Sequence, residues 1–445
     1  MKVLMTKMLP GRILLPGLLL AFAALAVAIY GVIQVRADGP EKVPASGIIC
    51  TENPTSTFTL TAKEGYISMT DGNVVFMWGY ANGTDDFQFP GPILCVTVGD
   101  TVTVVLHNEL DVDTSIMFPG QIDVKADGIP LEPHFDGSGN LISLINLAAA
   151  NGGVVTYEFE VTEPGTHVYQ SGTDPAVQSQ MGLFGALVVR PADCNPDVDE
   201  ICYAYDNPTT GFNPKTEYMM MLSEIDPLMH QAYERGETYD MSLYNPRYFL
   251  INGRTFPDTI APNHASWLPN QPYSSLGHIQ PFDEIENPLP ALDRFIGMGE
   301  ESYPFHPHAF NARVIARDAR LLQGPNGEDM SEERFSIPVN PGQTSDALYQ
   351  WEDVYAWTKD AGDLPVSLPN AQNLPAGLFY GSPFLGNQDV KPVGTTSFNQ
   401  CGEFYHIAHN HSLQQITGWG VVLVGQVTFT RIDPPTSDPS YVNCH

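Results

Sequence analysis

Basic residues are scarce in this chain of 445 residues. Twenty Lys and Arg stand against 51 Asp and Glu, which gives a formal net charge of −31 at pH 7. A folded surface this acidic repels phosphate backbones and anionic lipid headgroups, which argues against nucleic acid and anionic membrane surfaces as partners. Two uses of such a surface remain open, namely solubility outside the cell and the gathering of cations near a metal site.

Several catalytic motifs are also missing. The sequence has no P-loop and no dinucleotide-binding fingerprint. Ser171 has no histidine at a spacing useful for serine-hydrolase chemistry. None of the six cysteines lies between histidines, so none is placed to act as a copper thiolate.

One long apolar stretch lies near the N-terminus. Lys2, Lys7 and Arg12 precede an uncharged run over residues 13–35, and its length of roughly 20 residues is enough to span a bilayer. Small residues around Ala37 also offer a signal peptidase site. Residues 1–37 are therefore predicted to form a hydrophobic helix that is either a cleaved signal peptide or an uncleaved signal anchor.

Both alternatives send the rest of the chain across the membrane. We therefore predict an extracytoplasmic protein that is periplasmic, on the cell surface or secreted, and that contacts the membrane only through an uncleaved N-terminal segment. Six cysteines are an even count that suits disulfides in an exported chain. Proximity in sequence suggests three candidate pairs: Cys50 with Cys95, Cys194 with Cys202, and Cys401 with Cys444.

The remaining sequence predicts an all-β fold. It is rich in glycine (39) and proline (38), and short segments of alternating apolar and polar residues are separated by turn residues, as in β-sandwiches. The only helix expected after the N-terminal segment is a short one near 226–235. The predicted division is a first domain at 48–192, a connector at 193–214, a second domain at 215–432 with a long loop at 351–400, and a C-terminal tail at 433–445.

The order and spacing of several short motifs resemble the multicopper oxidase superfamily, and within it a bacterial two-domain subgroup. The resemblance implies two cupredoxin-like Greek-key β-sandwich domains. The motifs that carry it are Phe89-Pro90-Gly91-Pro92, Val98-Gly99-Asp100-Thr101-Val102, the segments 114–121, 165–172, 180–187 and 223–227, Phe249-Leu250-Ile251-Asn252-Gly253-Arg254, Tyr303-Pro304-Phe305-His306-Pro307-His308 and His409-Asn410-His411.

Members of this superfamily collect electrons at a mononuclear type 1 copper bound by a cysteine thiolate and two histidines. The resemblance places Tyr303, Asn410 and Gln415 at the three ligand positions of the second domain. Copper nitrite reductases carry this copper in the first domain, where the matching stretch 169–172 holds neither cysteine nor histidine. No type 1 blue copper is therefore expected.

The superfamily's second copper site is a trinuclear cluster held by four His-x-His pairs. The two pairs expected from the first domain fall at 115–117 and 170–172, which contain no histidine. The second domain keeps both of its pairs, His306/His308 and His409/His411. Residues i and i+2 of a strand share a face, and imidazole is a good copper ligand. These four are the predicted metal ligands, and His406 is a fifth partner or a hydrogen-bonding neighbour.

Three functions follow from this pattern. The chain is a copper protein with oxidoreductase activity, a non-catalytic extracellular copper-binding or storage protein, or a structural cupredoxin scaffold in a surface layer, filament or complex. The sequence leaves open whether it is an enzyme. The resemblance also implies a homotrimer or another homo-oligomer, in which the four predicted histidine ligands of each subunit face the Met117 and Gln170 region of a neighbour.

Overall fold

The computed structural model describes residues 46–285, 287–309, 311–351 and 404–432. Almost all regular structure in these ranges is β-strand, which confirms the predicted all-β fold. Four predictions lie outside the described residues, namely the N-terminal helix, the loop at 351–400 apart from Trp351, the C-terminal tail and the Cys401–Cys444 pair. No helix in the described ranges is both long and apolar enough to span a membrane.

The first half of the described chain contains these elements: β1 Thr57–Ser68, β2 Val74–Asn82, β3 Leu94–Thr97, β4 Thr101–Asn108, β5 Lys125–Ala126, β6 Ile129–Pro130, β7 His134–Phe135, β8 Leu141–Ser143, β9 Gly153–Glu160, β10 Gly165–Gln170, α1 Pro175–Gln178, β11 Phe184–Arg190, β12 Cys202–Tyr203 and β13 Gly211–Phe212.

The second half contains these: β14 Glu217–Ile225, α2 Pro227–Glu234, β15 Tyr248–Ile251, β16 Gly277–Ile279, β17 Ala291–Gly297, β18 Tyr303–Pro307, β19 Ala312–Arg317, β20 Arg320–Leu321, β21 Glu332–Arg334, β22 Ile337–Val339, β23 Thr344–Tyr349, β24 Phe404–Asn410, β25 Thr417–Gly418, β26 Val421–Val422 and β27 Val427–Ile432. Helix α2 confirms the short helix predicted near 226–235.

The first sandwich packs a six-stranded sheet, in the order β2-β1-β4-β9-β5-β6, against a three-stranded sheet, β10-β11-β3. The apolar alternation of the sequence decides which face is inside. In β4, Val102, Val104 and Leu106 are fully buried, whereas Thr101 and His107 on the other face are exposed. The core between the two sheets is therefore built from alternate residues of each strand.

The second sandwich repeats this design on a larger scale. One sheet has the order β15-β14-β17-β23-β19-β20, with β21 also paired to β19, and the other has the order β16-β27-β24-β18-β22. In β18, Tyr303, Phe305 and Pro307 are buried, and the alternating residues Pro304 and His306 are partly exposed. Strand β18 therefore sends its histidine to the face opposite the core.

The two sandwiches share an apolar interface. Val168 and Val188 of the three-stranded sheet belong to the same buried cluster as Met219 and Met221 of β14 and Leu250 of β15. The methionine run of β14 thus packs in the core, as methionine does where irregular gaps need filling. This contact fixes the second sandwich against the first.

A buried ionic network lies beside this interface. Glu217 forms an ion pair with Arg190 at 2.8 Å, and its Oε1 accepts from Arg190 at 3.1 Å and from Arg294 at 2.6 Å. Arg294 also lies 3.4 Å from Asp346, and Thr166 of the first sandwich donates to Asp346 at 2.6 Å. Burial raises the pKa of Glu217, but the two arginines outweigh that effect and hold its pKa below the ordinary value. Charge pairing therefore links the sandwiches where apolar packing ends.

Two of the predicted disulfides are confirmed. Cys50 is bonded to Cys95 across 45 residues, and Cys194 to Cys202 across 8 residues. The first bond ties the segment before β1 to β3. The second closes a short loop in the connector.

The two disulfides should differ in their contribution to stability. A crosslink that closes a longer loop removes more entropy from the unfolded chain. Replacing Cys50 and Cys95 with serine should lower the free energy of unfolding by about 4 kcal/mol, against about 2–3 kcal/mol for the Cys194/Cys202 pair. Denaturant unfolding of both double variants measures the difference, and equal losses would contradict the loop-length argument.

Candidate metal centre

Two neighbouring strands bring the four predicted ligands to one face of a sheet. Strands β18 and β24 pair antiparallel with His306 opposite His409. Residues opposite each other point to the same side, and so do residues two positions further along. His308 and His411 therefore join them, and we call these four residues the histidine patch.

The rings of the patch are in mutual contact. Ring centroids lie 4.6 Å apart for His306 and His308, 5.0 Å for His308 and His409, and 5.2 Å for His306 and His411. His409 and His411 are stacked at 5.8 Å. The structure thus brings together all four histidines that the sequence singled out.

Backbone carbonyls select the tautomers of two rings. Nδ1 of His409 donates to the carbonyl of Asn410 at 2.7 Å, and Nδ1 of His306 donates to the carbonyl of Phe335. A carbonyl oxygen can only accept, so each Nδ1 carries the proton and each neutral ring presents a lone pair on Nε2. Metal-binding histidines are commonly oriented by this kind of hydrogen bond.

The spacing of one ring pair fits a shared metal ion. Nε2 of His308 lies 3.0 Å from Nε2 of His409. Two nitrogens bound at about 2.0–2.1 Å to one ion, at roughly a right angle, are separated by about 2.9 Å. Without metal the same spacing serves a hydrogen bond, in which His308 donates to His409.

In their present orientations, the four side chains of the patch do not converge on a single metal ion. In the described part of the chain, no group of three or more His, Cys, Asp or Glu side chains is arranged to hold one ion. The imidazole donors and the His308–His409 spacing suit copper.

Electrostatics keep two of the rings uncharged near neutral pH. Burial lowers the pKa of His308, and the neighbouring rings of the patch lower it further. Burial likewise lowers the pKa of His409, and this effect, with smaller contributions from His306 and His411, outweighs the opposing hydrogen bond to the Asn410 carbonyl. A neutral imidazole is the form that binds a metal.

His406 stands apart from the patch. Three positions separate it from His409, so strand alternation places it on the opposite face. Its ring lies 5.9 Å from that of Trp351, and its buried Nε2 has no hydrogen-bond partner among the described residues. Burial, with a smaller contribution from His308, lowers its pKa to about 4.

The three positions expected for type 1 ligands hold polar side chains bonded within the protein. The fully buried Asn410 donates to Gln426 at 2.7 Å, and its Oδ1 accepts from the backbone of Ser412 at 3.0 Å. Gln415 donates to Glu301 at 2.6 Å. None of these side chains supplies a soft thiolate ligand.

A buried carboxylate beside Tyr303 was not anticipated from the sequence. Glu224 is 2% exposed, lies against the Tyr303 hydroxyl and accepts from Tyr244 at 2.8 Å and from the backbone of Glu300 at 2.6 Å. Burial raises the pKa of Glu224 to about 7. The segment 223–227 was noted only as a family likeness. The available signal was an acid near the end of an otherwise apolar strand (EYMMMLSEI), which begins with a second acid, Glu217.

Glu224 should make stability depend on pH. Its pKa is raised in the folded protein, so folding favours the protonated form. The wild type should therefore lose stability, by up to about 3 kcal/mol, as pH rises from the unfolded value near 4.5 to about 7. Glu224→Gln, a neutral mimic of the protonated acid, should remove the share of the decline that Glu224 contributes. Asp293, whose pKa burial also raises to about 7, should keep its own share.

The measurement is denaturant unfolding across pH 4 to 8. The exposed Glu132→Gln is the matched control and should retain the wild-type slope. A Glu224→Gln protein with the same slope as the wild type would show that Glu224 is not the responsible group.

In the first sandwich, hydroxyls stand at the segments expected to carry histidine pairs. Met117 and Gln170 form a backbone bridge, so segments 115–117 and 170–172 are adjacent. Ser115 accepts from Thr173 at 2.9 Å, and Ser171 donates to Gln178 at 2.6 Å. All four of these side chains are buried. This region is a closed hydrogen-bonded network of neutral groups.

Comparison with known proteins shows that the first sandwich is similar to multicopper oxidases. Residues 61–193 match a family model described as multicopper oxidase. Copper resistance protein A of Pseudomonas syringae pv. tomato is 37% identical over 156 residues, which are 34% of this chain and 21% of that protein. Multicopper oxidase MmcO of Mycobacterium tuberculosis is 30% identical over 215 residues, which are 45% of this chain and 38% of that protein. These matches thus span about two fifths or less of each relative.

Solved structures extend the likeness to both sandwiches. The blue copper oxidase from Nitrosomonas europaea covers 87% of this chain and 89% of its own, with a TM-score of 0.53 and 16% sequence identity. A multicopper oxidase, mgLAC, covers 88% and 90%, with a TM-score of 0.53 and 18% identity. At these identities the likeness shows the fold, and it confirms the expected cupredoxin-like architecture.

Proposed function

We propose that the chain is a divergent member of the multicopper oxidase superfamily that binds copper through the histidine patch of its second sandwich. The family match of residues 61–193 and the likeness to copper resistance protein A and MmcO support the family assignment. The observation that carries this proposal is the 3.0 Å separation of the His308 and His409 Nε2 atoms, with the lone pair of His409 directed at its partner by the Asn410 carbonyl. Export across a membrane, to the periplasm, the cell surface or the medium, belongs to the same proposal.

Copper bound at the patch would supply one-electron redox chemistry. The chain's own residues perform the positioning. The carbonyls of Asn410 and Phe335 hold protons on the Nδ1 atoms, which keeps the Nε2 lone pairs available. His411 is exposed, so a small molecule can approach the patch from solvent. We propose an oxidoreductase that receives electrons directly from its substrate, because the type 1 positions carry Tyr303, Asn410 and Gln415.

Two alternatives rest on the same fold. In one, the patch binds or stores copper without turnover, since no thiolate stands among the described residues near it. In the other, the sandwiches serve as a structural scaffold of a surface layer, filament or complex. Assembly as a homotrimer or another homo-oligomer is part of the proposal and would set the patch against a neighbour's Met117 and Gln170 region.

Copper titration followed by oxygen-consumption assays separates these functions. Metal-free protein should take up copper stoichiometrically, and the loaded protein should consume dioxygen with a phenolic or Cu(I) substrate. Copper uptake without turnover would favour the storage alternative. Failure to retain any copper after desalting would contradict both copper functions and leave the scaffold.

A further inference from the structure

A cavity of about 710 Å³ opens in the first sandwich, away from the histidine patch. Its walls are mainly apolar and include the aromatic rings of Trp78 and Tyr233, which meet edge to face at 5.7 Å. Its volume lies within the range of pockets that bind small organic molecules. No residue of the histidine patch lines it.

The lip of the cavity is unusually apolar for an exposed surface. Leu141 and Ile142 of β8 and the following Leu144 line the opening and remain exposed by 51%, 39% and 43%. Adjoining apolar side chains left exposed at a concave surface are typical of a site that binds an apolar group.

Asp174 supplies the charge of this cavity. It precedes α1 as the N-cap residue, in a left-handed conformation with φ of 39°, yet its side chain makes no capping hydrogen bond. Asp174 is exposed at the cavity, and its carboxylate has no hydrogen-bond or ion-pair partner among the described residues. Partial desolvation raises its pKa. Burial and then the charge of Asp174 raise the pKa of Tyr233, which indicates that the carboxylate lies near that ring.

A second acid at the cavity is already in use. Oδ1 of Asp113 accepts from the backbone of Ala150 at 2.9 Å, and the Asp113 carbonyl accepts from Gln178. Asp113 is therefore fixed as part of the wall, whereas Asp174 remains available to an incoming cation.

We propose that this cavity binds a small organic cation that carries an aromatic ring, with the ring against Trp78 and Tyr233 and the ammonium group against Asp174. Because Asp174 lies near Tyr233, the ammonium group also approaches that ring, and aromatic faces attract cations through their quadrupole. The unpaired carboxylate adds a direct ion pair, and the net charge of −31 raises the local concentration of cations. The binding needs no copper and is therefore independent of the proposed copper site, while Gly172 of the segment 170–172 lines the cavity.

Benzylamine and its neutral near-isostere benzyl alcohol are the probes, titrated into metal-free protein and followed by calorimetry. Benzylamine should bind one saturable site and more tightly than benzyl alcohol. Asp174→Asn should raise the benzylamine Kd at least tenfold and leave that of benzyl alcohol within twofold. Asp111→Asn removes the same charge from an exposed residue that does not line the cavity, and should leave both Kd values within twofold.

Tyr233→Leu provides a second variant, since it keeps apolar volume and removes an aromatic face. It should weaken both probes, and benzylamine more strongly. The proposal is overturned if benzylamine binding does not saturate, or if benzylamine binds Asp174→Asn as tightly as the wild type. It is also overturned if sedimentation shows a dimer of the chain that dissociates in Leu144→Asp, because a second copy would then occupy the Leu141–Leu144 lip.

Discussion

Replacing His409 with alanine is expected to lower the affinity for copper at least about 100-fold. His409 supplies one nitrogen of the 3.0 Å pair, and its ring contacts each of the other three rings of the patch. Loss of a residue that merely orients a ligand commonly costs 10–100-fold in affinity, so loss of a ligand should cost more. Calorimetric titration of metal-free protein with Cu(II) gives the comparison.

Substitutions of the other histidines should change the copper affinity by different amounts. His308→Ala should match His409→Ala, since the same nitrogen pair is lost. His411→Ala should have a smaller effect, because its ring is exposed and lies outside that pair. His107→Ala is the matched control, because His107 is exposed on β4 of the first sandwich and should leave copper affinity unchanged. Equal affinities in all four variants would contradict the assignment of the patch.

Replacing Arg294 with methionine should destabilise the protein by about 3–5 kcal/mol, the range for breaking a buried ion pair. The Arg294 side chain is fully buried and bonds to Glu217, Asp346 and Thr166. Methionine fills similar volume but leaves Asp346 without a cationic partner and Glu217 with Arg190 alone.

Chemical denaturation at pH 7 measures this loss. Arg334→Ala, which breaks an exposed pair with Glu332, is the control and should cost less than about 1 kcal/mol. The Arg294→Met loss should also shrink toward acidic pH, where the stranded carboxylates become protonated. A cost no larger than that of Arg334→Ala would mean that the buried network contributes nothing beyond apolar packing.

Sequence reasoning predicted the elements that local chemistry controls. Alternation in segments such as Thr101–Asn108 predicts strands, and the His-x-His spacing predicts two rings on one face. The Cys50–Cys95 and Cys194–Cys202 pairs followed from proximity in sequence. The family likeness implied that the two histidine strands lie side by side. The structure adds the register, in which β18 pairs with β24 so that His306 lies opposite His409.

The features that the sequence could not supply depend on distant contacts. Glu224 meets Tyr303 across 79 residues, and Arg294 meets Thr166 of the other sandwich across 128 residues. The residues beside Glu224 in the sequence do not indicate that its carboxylate lies next to the hydroxyl of Tyr303. Likewise, the sequence does not distinguish Asp174 from the other acidic residues, because only the folded chain forms the cavity that Asp174 lines. Long-range packing determines such environments, and single-sequence patterns do not report it.

The side chains at the three positions expected for type 1 copper ligands are polar and are hydrogen-bonded within the protein. Tyr303 with Glu224, Asn410 with Gln426, and Gln415 with Glu301 form internal hydrogen bonds. Side chains that satisfy one another in this way stabilise the interior without a metal. The copper chemistry that we propose for this chain therefore rests on the histidine patch.

Electron paramagnetic resonance with visible absorption, during titration of the metal-free protein with Cu(II), tests this claim most directly. We predict a signal with nitrogen hyperfine coupling that saturates with copper, is lost in His409→Ala, and is accompanied by no intense blue band. An intense thiolate-to-copper charge-transfer band, or a signal unchanged in His409→Ala, would contradict the account.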